Sequence, residues 1–89
     1  MADEGRLREE MDRGSKAAEI LRNPVFDETF SILQKRFIQA WLDTPVENVD
    51  DRERLYVSVH VLQEVYDQIE DVMQTGAMAS KELDEQVVH

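Results

Sequence analysis

Two histidines and a surplus of carboxylates are the residues of this 89-residue chain from which a metal or acid–base site would first be built. His60 and Glu64 stand four apart, so on a helix they share a face and could act as a ligand pair or a proton-transfer pair. One such pair does not make a metal centre. A di-iron bundle needs Glu-x-x-His from more than one helix, and neither that motif nor His-Glu-x-x-His occurs. His89 is the last residue and reads as part of a loose tail. The acids Asp43, Glu47, Asp50, Asp51 and Glu53 raise the question of calcium. Counted from Asp43, Pro45 takes a ligand position and Asn48 the obligatory glycine position, so the calcium-loop pattern fails. A solvated cluster that caps helices is the better account. There is no cysteine, no nucleophile elbow and no glycine-rich phosphate loop. No catalytic residue, metal site or cofactor is expected, and the chain is read as a non-enzyme.

Charge is the stronger signal. Residues 1–42 hold 8 acids and 7 bases, whereas residues 43–89 hold 12 acids and 3 bases, for a net charge of −10. So anionic a second half repels phosphate backbones and anionic lipid faces, which argues against direct nucleic-acid or membrane binding. Glu64, Asp67, Glu70 and Asp71 run without an intervening base. At helical spacing they form an acidic ridge, either a solubilising surface or one that faces a basic protein partner.

These residues need elements to hold them, and the hydrophobic pattern supplies helices. Asn23-Pro24 marks a start, because asparagine is a good cap and proline suits the first helical position. Asp27 and Glu28 then favour the helix dipole. Phe26, Phe30, Leu33, Phe37, Ala40 and Trp41 recur at spacings of three and four, the mark of one helical face. Val25, Ile32 and Ile38 widen it. Asp43-Thr44-Pro45 ends the helix, since the residue before proline avoids helical geometry. A linker of about eight residues, with Asp50 or Asp51 as the next cap, predicts an antiparallel neighbour.

Tyr56 to Val61 alternates like a strand, but no second strand exists to pair with it. Leu55, Leu62, Ile69 and Leu83 keep a seven-residue phase, so a helix is expected. Gly76 falls where that phase demands a core residue. It either ends the helix or is tolerated where another backbone comes close, and the expectation here is a helix to about Glu85 with a weak point at Gly76. Upstream, Gly14-Ser15 is expected to break the chain, with Ser15 capping a short helix over Lys16–Arg22 that docks through Ile20 and Leu21. The expected organisation is a charged, frayed segment at 1–14, one all-α domain at 15–85 built on an antiparallel hairpin, and a tail at 86–89. No apolar run approaches the roughly 18 residues of a membrane span. The acidic N-terminus does not read as a secretory signal, so cytoplasm is the default.

The first helix carries more apolar width than one partner can cover. A self-association interface through Val25, Phe26, Phe30, Ile32, Leu33, Phe37, Ile38 and Trp41 follows as an expectation, with a homo-oligomer as the product. Trp41 and Tyr56 are further candidates for a partner-facing rim.

The residues Ala17, Ile20, Leu21, Asn23-Pro24, Phe30, Ala40-Trp41, Pro45, Arg52-Glu53, Leu55-Tyr56 and Thr75-Gly76 carry a resemblance. Across about residues 13–83 the chain looks like a group of small, uncharacterised bacteriophage-encoded helical proteins whose genes lie near virion or packaging genes. The resemblance implies a phage accessory or virion-assembly role, in the host cytoplasm or the virion, and supplies no binding residue. Two other functions remain open. One is an acidic mimic of nucleic acid that blocks a host DNA-binding, RNA-binding or defence protein. The other is a nucleotide or small-molecule pocket at an oligomer interface, served by Lys35, Arg36, Arg52 and Arg54.

Overall fold

The computed structural model describes the backbone of residues 3–88 and side chains of residues 3–86. Three helices account for nearly all of it: α1 at Glu4–Arg22, α2 at Pro24–Asp43 and α3 at Val49–Val88. Among the described residues there is no strand, so the all-α expectation holds and the Tyr56 to Val61 alternation is helical. The chain packs as two units that share α3.

The first unit pairs α1 with α3 from Gln68 onward. Asp3 caps α1 by accepting from the Gly5 N–H at 3.0 Å. The expected break at Gly14-Ser15 does not occur: residues 4–14 belong to a continuous α1, and Ser15 caps nothing. The reason is packing. Leu7, Met11, Gly14, Ala18 and Leu21 form a stripe with steps of four and three, which gives Gly14 a place in a seam and not at a terminus. Leu7 is 1% exposed and packs with Ala79 and Leu83. Gly14, Ala17 and Ala18 on α1 and Gly76 on α3 are buried as well. Contacts of Leu7 with Leu83 and of Gly14 with Gly76 make the pair antiparallel.

Gly76 does not end α3. A Cβ on Gly76 would lie 2.7 Å from the Gly14 Cα and 2.8 Å from the Glu10 carbonyl oxygen. The helix therefore runs past Glu85, with another backbone lying against its glycine. Of the tail expected at 86–89, residues through Val88 belong to α3, and His89 lies outside the described residues.

The second unit is the hairpin Pro24–Asp67, made of α2, the loop 44–48 and the first part of α3. Pro24 opens α2 and Asp43 closes it, as proline chemistry at both ends dictates. The loop is shorter than expected. Val49 already lies in α3, so Asn48 takes the flanking position foreseen for Asp50 or Asp51. Its carbonyl accepts from the Arg52 N–H at 3.1 Å, and its side chain donates to Asp51 at 2.8 Å. Phe30 meets Tyr66 with ring centroids 5.0 Å apart, while Trp41 meets Arg52. Partners thus fall in number along α3 as they rise along α2, which makes the hairpin antiparallel.

Candidate interaction surface on the hairpin

No residue of α2 is buried. Of the eight residues expected at a self-association interface, Phe26, Phe30, Leu33, Phe37 and Trp41 are half-buried, while Val25, Ile32 and Ile38 are exposed. The first five follow the stripe that turns toward α3, where Phe26 also stacks on Phe30 at 6.3 Å. The hairpin alone thus satisfies part of that stripe and leaves its flanks to solvent.

α3 adds its own exposed apolar row. Val57, Val61 and Val65 are four residues apart and about half exposed, at 51%, 52% and 51%. Such i, i+4 spacing places them side by side on the helix surface. Neither this row nor the row Val25, Thr29, Ile32, Arg36 and Ala40 contains a carboxylate. Acids flank both rows: Glu28 stands one helical turn from Val25 and Ile32, Glu64 one turn from Val61, and Asp50 and Glu53 line a depression with Val57.

At the closed end of the hairpin, Arg52 organises the turn. Its guanidinium lies 4.3 Å from the Trp41 ring centroid and donates to the Trp41 carbonyl at 3.3 Å and the Thr44 carbonyl at 2.9 Å. The Trp41 carbonyl, which also accepts from the Thr44 N–H at 3.3 Å, lies in the last turn of α2, and the Thr44 carbonyl is the first beyond it, at the helix end where a cation is favoured. Trp41, Val46, Val49, Arg52, Glu53 and Tyr56 line a depression of about 290 Å³ there. The sequence offers Arg52 as one of four bases for phosphate and as part of the resemblance, and not as a structural residue. Its place in the inward phase with Leu55, Val59, Leu62 and Tyr66 was the signal of a structural role. Arg54 approaches Asp51 at 4.0 Å, while Lys35 and Arg36 are exposed on α2.

His60 tilts against Tyr56, 4.4 Å between ring centroids, and makes no hydrogen bond or ion pair with Glu64 among the described residues. No group of three or more potential metal ligands comes together among the described residues.

Along the acidic ridge, Glu64 and Asp67 lie exposed in the hairpin unit, and Asp67 accepts from Gln63 at 3.0 Å. In the other unit Glu70 is half-buried and accepts from Gln74 at 3.4 Å, while exposed Asp71 shares a surface depression with Arg13. No helix among the described residues is long and apolar enough to cross a membrane.

Comparison with known proteins returns no matching family model, no matching curated protein and no matching solved structure.

Proposed function

We propose that this protein is a non-catalytic helical interaction module that works as a homo-oligomer, joined through the apolar flanks of the α2–α3 hairpin. One observation carries the reading: α2 buries no residue although it holds all three phenylalanines and the tryptophan. The exposed apolar residues Val57, Val61 and Val65 on α3 and Val25 and Ile32 on α2 are the parts best suited to contact a second copy. A phage accessory role in virion assembly or packaging, in the host cytoplasm or the virion, belongs to the proposal and rests on the sequence resemblance.

Sedimentation equilibrium of the purified chain at micromolar concentration tests it. The expected mass is a whole multiple of 10.4 kDa above one. A monomer that keeps its full helical content would overturn the reading.

The second reading, a nucleic-acid mimic, draws on the exposed pair Glu64 and Asp67. It is the weaker one, because Arg13 lines the same depression as Asp71 and Glu70 is half-buried.

A further inference from the structure

We infer that the closed end of the hairpin is a second docking surface, separate from the copy–copy interface. Its occupant is a segment of another protein that carries an apolar or aromatic side chain next to lysine or arginine. Loop residues are ordinarily polar, yet Val46 is 78% exposed, and it lines the depression with Val49, the first residue of α3, at 63% and Tyr56 at 57%. Together with Trp41 and Arg52 they give an apolar floor of the composition that dominates binding hot spots. Arg52 holds that floor in shape by tying the α2 end to the first turn of α3.

The charge around the floor selects the occupant. Residues 43–54 hold five carboxylates and two guanidiniums. Both cations are engaged, Arg52 with the Trp41 ring and two carbonyls, Arg54 near Asp51. Asp43 accepts from Gln39, and Asp51 accepts from Asn48. The side chains of Glu47, Asp50 and Glu53 are exposed and have no hydrogen bond or ion pair among the described residues. A second copy would bring the same carboxylates against these, which like-charge juxtaposition disfavours. Lysine or arginine beside an apolar anchor satisfies both features at once: the anchor takes the depression and the cation meets the rim.

A randomised peptide library selected against the full chain tests this. Selected peptides are then titrated by the fluorescence of Trp41, the single tryptophan. The expected result is enrichment of peptides that combine an aliphatic or aromatic residue with lysine or arginine. Binding should weaken by about tenfold or more in a Glu47→Gln, Asp50→Asn, Glu53→Gln variant and in a Val46→Ser, Val49→Ser variant. Both variants should keep wild-type helical content and the wild-type oligomer mass. Failure to enrich any peptide, enrichment without a basic bias, or binding indifferent to both variants overturns the inference. Loss of the oligomer in the valine variant also overturns it, by showing that the end is a copy–copy contact, and leaves the self-association reading standing.

Discussion

Gly14 and Gly76 occupy each other's side-chain space: a Cβ built on either would fall 2.7 Å from the Cα of the other. Helix propensity alone says that alanine at each position should stabilise by about 1 kcal/mol. The structure says the opposite. The obstructing atoms are backbone, so the helices must part, and Leu7, Ala79 and Leu83 lose burial. Gly76→Ala and Gly14→Ala are each expected to destabilise by about 1–3 kcal/mol. The double variant should cost less than the two single costs together, because one separation relieves both clashes. Thermal melts at one fixed concentration check this, and a rise in Tm in either single variant would contradict it.

Arg52→Lys is expected to lower stability by about 1–2 kcal/mol, although charge is kept. Lysine cannot present a planar group to Trp41 while donating to the carbonyls of Trp41 and Thr44. Urea unfolding should show a lower midpoint at unchanged slope. A wild-type midpoint would mean that the turn does not depend on the guanidinium.

Val61→Glu with Val65→Glu should move the sedimentation mass toward 10.4 kDa. Both side chains are about half exposed in the single chain, so the substitutions do not disrupt the fold of one copy. A matching Val61→Lys, Val65→Lys chain, mixed in equal amount, should restore a heteromer by opposite charge. An unchanged mass in the glutamate variant would show that the valine row is not where copies meet.

Glu64→Gln with Asp67→Asn should leave the oligomer mass unchanged. Exposed carboxylates without cationic partners contribute little to a folded state, and their removal should alter stability by less than about 0.5 kcal/mol. Dissociation of the oligomer in this variant would place the ridge inside an interface.

The limits of α2 were legible because their causes are local: Pro24 at one end, Asp43-Thr44-Pro45 at the other. The helical phase from Leu55 to Leu83 was legible too, and it outweighed the β-branched alternation at Tyr56 to Val61. Gly14 was misjudged. A glycine's cost to a helix can be read from its neighbours, but the contact that offsets it comes from Gly76, far along the chain. The clue available was that Gly14 is in phase with Leu7 and Leu21 just as Gly76 is in phase with Ile69 and Leu83. Arg52 hid for the same reason. Its partners Trp41 and Thr44 become neighbours only once the chain has turned.

An α2 with no fully buried residue has a consequence for supply. If copies complete one another's core, the hairpin's integrity follows protein abundance, and dilution loosens it before heat does. Dosage would then act as the switch, with little working species formed until enough chains have accumulated to meet.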